Sequence, residues 1–175
     1  MKNEYEIRGE VTAIFIKFNG QIIETLIDST DLPKAREFTG TWYGWRCPKT
    51  GGIYVCGQKT INEHRTSFRL HRWITGVHPS LQVDHINHNP LDNRQSMNLR
   101  KVNNSQNNQN RKGPLKNNKA GCLNVYFCIE RQKWSVGITL NDRKIFFKRC
   151  NSKEEAIRLA KIKRAELLPY SEVVV

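Results

Sequence analysis

Val83 to Asn107 reads VDHINHNPLDNRQSMNLRKVNNSQN. An acid and a histidine stand side by side at Asp84 and His85, between the apolar Val83 and Ile86. In an extended strand such neighbours point to opposite faces, so at most one of the pair faces a given core. The flanking residues place the pair at or near a strand end. A polar, turn-rich loop follows, with Asn87, Asn89, Pro90, Asp92 and Asn93, and then a short apolar run from Met97 to Val102 that carries Asn98 and Arg100. An Asn/Gln tract containing Asn107 closes the stretch. Water attack on a phosphodiester needs a base titrating near neutral pH and a cation to neutralise developing charge. Histidine is such a base. A carboxylate with an amide oxygen supplies part of a magnesium site, because Mg²⁺ prefers oxygen ligands and retains several waters. The residues alone therefore point to a hydrolytic metal site, or to an ordinary surface pair.

The stretch resembles the HNH nuclease motif in the form found in phage and intron-associated homing endonucleases. The pieces that match are Asp84-His85, the DNR of Asp92-Asn93-Arg94, the NLR of Asn98-Leu99-Arg100, and Asn107. His71-Arg72 upstream, before a hydrophobic turn, is similar to the family as well. The resemblance implies a ββα-metal unit over residues 82–111, within a nuclease core of about 67–111. Local propensity alone reads 103–110 as disordered, since asparagine is a poor helix-interior residue. The helix there is implied by the family alone. One departure stands out: Gln95-Ser96-Met97 separates Arg94 from Asn98 where many relatives have one residue fewer.

Charge supports a polyanionic partner. The 175-residue chain has a net charge of +13 and a pI of about 9.8, the balance of a nucleic-acid-binding protein. The excess is lopsided: residues 1–99 carry 12 Lys/Arg against 10 Asp/Glu, and residues 100–175 carry 17 against 6. The C-terminal part is thus the expected electrostatic footprint. A mean hydropathy of −0.65 fits modest cores divided between small domains. No apolar run approaches the ~20 residues of a membrane span, and MKNEYEIRGE lacks the apolar segment of a signal peptide, so a cytoplasmic protein without membrane contact is expected, in the bacterial host if phage-encoded. Cys47, Cys56, Cys122, Cys128 and Cys150 are odd in number and lack Cys-x-x-Cys spacing. Reduced cysteines are expected, and no structural zinc from Cys47, Cys56, His64 and His71, because zinc ligands come in tight pairs.

The fold class expected is α+β: a β-rich N-terminal region leading into the nuclease unit (1–111), a linker (112–119), a small three-stranded antiparallel sheet with one helix (120–169), and a tail (170–175). Val11–Phe18 and Ile22–Ile27 read as a hairpin about Asn19-Gly20, whose type I′ turn needs positive φ at both centres. Ser29-Thr30-Asp31 offers helix caps, Pro33 suits a first turn, and Gly40 is a candidate stop. Thr41–Arg46 and Ile53–Cys56 read as strands. Trp42, Tyr43, Trp45 and Tyr54 cluster there, and packing is preferred over base stacking. Gln58–Thr66 reads as a loop. Ser67–Thr75 reads as a strand passing into a short helix before Gly76, with His71 a packing residue.

RKGPLKNNK, residues 111–119, is rich in Gly, Pro, Asn and Lys and reads as the linker. Beyond it, Leu123–Ile129, Lys133–Leu140 and Lys144–Cys150 are expected strands joined by Glu130-Arg131-Gln132 and Asn141-Asp142 turns. Ser152 with Glu155 opens a helix as a capping box, and the helix carries Ala156, Ile157, Ala160, Ile162, Ala165 and Leu168 before stopping at Pro169. The helix covers one face of the sheet. The other is left for solvent or a ligand. This segment resembles the APETALA2-like DNA-binding domain through Lys133-Trp134, the turn and strand from Asn141 to Phe147, and Ser152 to Ala156. It departs at Asn124-Val125, where the family has Gly-Val, and at Lys148-Arg149-Cys150. In that family the sheet enters the major groove.

The two resemblances together imply a metal-dependent endonuclease that hydrolyses double-stranded DNA to 5′-phosphate and 3′-hydroxyl ends, as a monomer or homodimer. His85 is implied as the base, a role worth typically ~10²–10⁴-fold, and Asn98 as the residue that orients it. Asp84 and Asn107 are implied ligands of one divalent cation, Mg²⁺ with Mn²⁺ as the substitute. Arg94 and Arg100 are candidate phosphate contacts unless they form salt bridges. Arg131, Lys133, Trp134, Arg143 and Lys144 are candidate DNA contacts of the C-terminal module. The competing expectation is a sequence-specific DNA-binding protein whose nuclease unit is inactive.

Overall fold

A computed structural model describes residues 1–114 and 116–172. It is a mixed α+β structure in two compact units, Met1–Val102 and Asn103–Val175. The division falls between Val102 and Asn103, ahead of the Asn/Gln tract rather than in the 112–119 linker. That linker lies outside the described residues at Leu115, as does the tail beyond Glu172.

The first unit begins with β1 (Tyr5–Arg8), β2 (Val11–Phe18) and β3 (Gln21–Asp28). β2 and β3 pair antiparallel from Val11↔Asp28 to Phe18↔Gln21. Asn19 and Gly20 both have positive φ, 49° and 80°, as a type I′ turn requires. A 3₁₀ turn at Ser29–Asp31 leads into α1 (Leu32–Arg36), with Pro33 in its first turn. Here the expected caps are corrected: no side-chain oxygen caps either element. Ser29 Oγ instead donates to Gly9 O at 2.7 Å, and α1 stops at Arg36, short of Gly40.

β4 (Tyr43–Arg46), β5 (Ile53–Ile61) and β6 (His64–Arg69) extend the sheet. β4 joins β2 at a single parallel bridge, Lys17↔Tyr43. Asn3 reinforces it by donating to Phe15 O and Trp42 O and accepting from Trp42 N. The expected loop at Gln58–Thr66 is instead a hairpin, paired out to Ile61↔His64. Its turn residues Asn62 and Glu63 take φ of 47° and 66°. Glutamate is a poor left-handed residue, which is why the turn does not announce itself. α2 (Leu70–Thr75) follows and ends on Gly76 in the left-handed region, a glycine C-cap. β7 (Gln82–His85) and β8 (Leu99–Val102) form a separate two-stranded antiparallel ribbon.

The core of this unit gathers Ile14, Ile16, Ile27, Phe38, Trp42, Val55, Leu70, Ile74 and Leu99. Phe38 and Trp42 stack with centroids 4.2 Å apart. They press on β5 at Gly57, where a Cβ would lie 2.5 Å from Phe38 ring carbons and 2.9 Å from Trp42.

The second unit opens with α3 (Asn104–Gln109), so the Asn-rich tract is helical after all. Its start is a capping box made of amides: Asn103 Oδ1 accepts from Gln106 N, and Gln106 Oε1 accepts from Asn103 N. Its end is tied down when Gln109 O accepts from Arg164 and Asn110 Oδ1 from Glu172 N. β9 (Val125–Cys128), β10 (Lys133–Leu140) and β11 (Arg143–Cys150) form the three-stranded antiparallel sheet in the order β11-β10-β9. α4 (Lys153–Leu167) packs on it through Ala156 and Ala160, against Val125, Val136 and Cys150. Ser152 Oγ accepts from Glu155 N, but the Glu155 carboxylate turns to Asn151 N, so only half of the expected capping box forms. On α4, Ile162 is 49% exposed and Arg164 is buried, the reverse of the apolar pattern.

The Gly57 contact yields a direct check. Gly57→Ala is expected to lower unfolding stability by roughly 1–3 kcal/mol through overpacking against Phe38 and Trp42, measured by urea denaturation.

Candidate active site

Asp84 and His85 are the last residues of β7, and Asn98 immediately precedes β8. The strands pair Asp84 with Arg100 and His85 with Leu99. Residues 86–98 form the loop between them, and that loop is stitched to the free edge of β3. Leu26 N donates to Leu91 O at 2.9 Å, and Asn93 N donates to Leu26 O at 2.7 Å. Ser96 donates to Asp28 through both its backbone N–H and its hydroxyl, and Gln95 Nε2 donates to Asp31 at 2.7 Å. The extra loop residue therefore sits in a segment that anchors the site. Asn98 stays in register: its backbone oxygen accepts from Ile86 N, its Oδ1 accepts from Asn87 N, and its Nδ2 donates to Asp92 O.

His85 is oriented by Asn93, the middle residue of Asp92-Asn93-Arg94. Asn93, fully buried, lies 3.2 Å from His85 Nε2 through Oδ1. Its Nδ2 donates to Thr25 Oγ1 at 2.8 Å and to Pro90 O at 3.2 Å. Pro90 O can only accept, which fixes the amide's orientation and makes Oδ1 the acceptor toward the imidazole. Thr25 Oγ1 in turn donates to Leu91 O at 2.7 Å. The chain of donors makes His85 Nε2 the donor toward Asn93. Asn98, the expected orienting residue, holds the loop rather than the ring.

Burial lowers the His85 pKa, and the Asn93 bond and the Asp84 and Asp92 carboxylates oppose it. His71 stands against it, ring centroids 5.1 Å apart and nearly perpendicular. Tyr54 lies 6.0 Å from both rings. Burial, with the adjacent His85 next in effect, drives the His71 pKa down to about 3. His71 is thus a neutral packing group, in keeping with its expected role.

The acids are paired. Arg100 Nε and Nη2 both donate to Asp84 Oδ2, at 2.9 and 2.8 Å. Arg94 grips Asp92 with Nε and Nη2 at 2.8 Å each, which lowers the Asp92 pKa and raises that of Arg94. Both arginines, candidate phosphate contacts by sequence, are in ion pairs with largely buried carboxylates. For a hard cation, the Asp84 carboxylate is a suitable oxygen donor, but in a site with one acid most ligands must be water and amide oxygen. Among the described residues no group of three or more His, Cys, Asp or Glu side chains is placed to hold a metal ion. Asn107 lies on α3, in the second unit.

In the second unit, Arg131, Lys133, Arg143 and Lys144 are exposed. Lys133 Nζ donates to Asn151 at 2.6 Å. Trp134 is half-buried and packs against the cluster under α4, with the Lys153 ammonium over its ring at 5.5 Å. The face away from α4 carries Tyr126 and Phe147, each 43% exposed. Lys144 and Arg149 lie over the Phe147 ring at 5.1 and 5.4 Å. Strand alternation carried this signal, since Tyr126 pairs with Ser135 and Phe147 with Gly137, on the face opposite Val136. Asn124 takes φ of 61°, a left-handed conformation that asparagine tolerates. Its side chain also bridges Gly137 O and Arg164.

The chain matches no protein-family model, no curated protein and no solved structure. No helix of the described residues is long and apolar enough to cross a membrane.

Two outcomes test this geometry. Asn93→Leu strands the Thr25, Pro90 and His85 groups and is expected to cost roughly 2–4 kcal/mol, read by chemical denaturation. For His71, the folded pKa lies below the ordinary value of ~6.5, so the unfolded chain binds more protons between the two. Its contribution is whole above pH ~6.5 and is lost as pH falls toward 3. His71→Leu is expected to flatten that part of the stability–pH curve, measured by denaturation at stepped pH.

Proposed function

We propose that this protein is a metal-dependent DNA endonuclease of the HNH type. The observation that carries the reading is the buried His85, set beside an acid at a strand end, with its pKa lowered by burial and its Nε2–H held by the Asn93 amide oxygen. A neutral imidazole with a fixed tautomer is what a general base requires. His85 accepts the proton of the attacking water at Nδ1. Asn93 keeps the ring oriented and stabilises the imidazolium that forms. Asn98 and the Arg94–Asp92 pair keep the loop in the shape that places Asn93. Asp84 would supply a carboxylate oxygen to a divalent cation, and by the resemblance Asn107 would be a second ligand. Bound there, Mg²⁺ would neutralise charge on the phosphate and on the leaving 3′ oxygen. Products carry 5′-phosphate and 3′-hydroxyl ends.

The C-terminal unit is proposed to hold duplex DNA. Its support is the positive charge of that half and the exposed face bearing Tyr126, Phe147, Lys144 and Arg149, in a module that resembles the APETALA2-like domain. Arg131, Lys133 and Arg143 are further phosphate contacts at the turns and strands. The protein acts in the cytoplasm in this reading.

One observation favours the second reading, a DNA-binding protein with an inactive nuclease unit. Arg100 places two donors on Asp84 Oδ2, and a guanidinium there competes with the cation. A plasmid assay separates the two. With supercoiled DNA in Mg²⁺, the wild type is expected to give relaxed or linear products that vanish in EDTA. His85→Ala is expected to lose cleavage by at least ~10²-fold while its DNA affinity stays within twofold of wild type. Equal loss of binding and cleavage would make His85 structural, and tight binding without cleavage in any divalent metal would establish the second reading.

A further inference from the structure

The face of β4, β5 and β6 that looks away from the core has a composition the packing does not explain. Strand pairing sets Trp45 opposite Tyr54 and sets Cys56 between Tyr43 and Arg69. These side chains therefore share one face, while Val55, Gly57 and Phe68 turn inward to Phe38 and Trp42. Trp42 is fully buried, yet Trp45 is 39% exposed. The Arg69 guanidinium lies between two rings, 5.7 Å from the Trp45 centroid and 5.1 Å from that of Tyr54. Among the described residues Arg69 forms no ion pair. Arg65, opposite Thr60, shares this face with Arg69, and the three strands hold not one acid. The stack also leads somewhere: the Tyr54 ring lies 6.0 Å from the His85 ring.

A ligand suited to this face must offer negative charge to Arg69 and a flat ring to Trp45, spaced along one chain. A nucleic acid strand does both, because each base has a π-face and each linkage a phosphate. An acidic peptide supplies the charge without the repeating planar groups. We propose that Trp45, Arg69 and Tyr54 form a nucleotide subsite beside His85. A base of the DNA strand being cut, displaced from its stack, lies on Trp45, and the phosphate next to it is taken by Arg69. This rests on the DNA reading of the His85 site and adds to it the part of the substrate bound there.

The test uses the full chain with an oligonucleotide duplex in EDTA, so that binding is read without cleavage. Trp45 is the most exposed of the tryptophans whose fluorescence would respond. Addition of DNA is expected to quench the wild-type emission, and Trp45→Phe is expected to remove most of that quench. Trp45→Ala and Arg69→Gln are each expected to weaken binding roughly tenfold, with unchanged thermal unfolding. Undiminished quench in Trp45→Phe together with unchanged affinity in the other two variants would overturn the subsite, and cleavage by the wild type would then leave the nuclease reading standing. Quench that depends on Trp45 in a protein that never cleaves would support the subsite and sink the nuclease reading. Absence of DNA binding would overturn both.

Discussion

The hydrogen bond between His85 Nε2 and Asn93 Oδ1 is the constraint on which the candidate site depends. It joins a strand end to a loop, and the loop to a different sheet: Asn93 reaches Thr25 on β3, and Thr25 reaches Leu91. His85, Asn93 and Thr25 are buried, so each must be satisfied or cost stability. The same requirement fixes the direction of every donor. What begins as a demand of burial ends with His85 Nε2 as the donor toward Asn93.

Electrostatics then divides the acids from the histidines. Asp84 and Asp92 each face a guanidinium across a short contact, while His71 and His85 are packed against each other and burial lowers the pKa of both. An isolated Asp-His pair on a surface would have neither property. In the nuclease reading a cation at Asp84 would compete with the paired arginine, so the Asp84–Arg100 contact would set how readily a metal binds.

Much of the fold was legible because single residues fix local geometry. Asn19-Gly20 marks its turn by positive φ, Gly76 ends α2, and Pro169 follows the last helix. What was missed has physical causes. The hairpin at Asn62-Glu63 uses a residue that seldom adopts its conformation. α3 is started by Asn103 and Gln106 amides, which composition reads as disorder although their spacing forms a capping box. Trp134 was a candidate DNA contact through the resemblance alone, and its register with Phe127 and Cys150 puts it on the α4 side. The partners of the site residues were not legible at all. Asn93 meets Thr25 across 68 positions of sequence, and Arg100 meets Asp84 only once β7 and β8 are in register.

The most direct measurement is the protonation of the His85 ring in the full-length protein, read by long-range ¹H–¹⁵N NMR near pH 7 with His85→Ala to assign its signals. The account requires a neutral imidazole with its proton on Nε2 and an unprotonated Nδ1. A ring protonated on Nδ1, or a charged imidazolium at that pH, would contradict it, because neither form leaves Nδ1 able to take a proton from water.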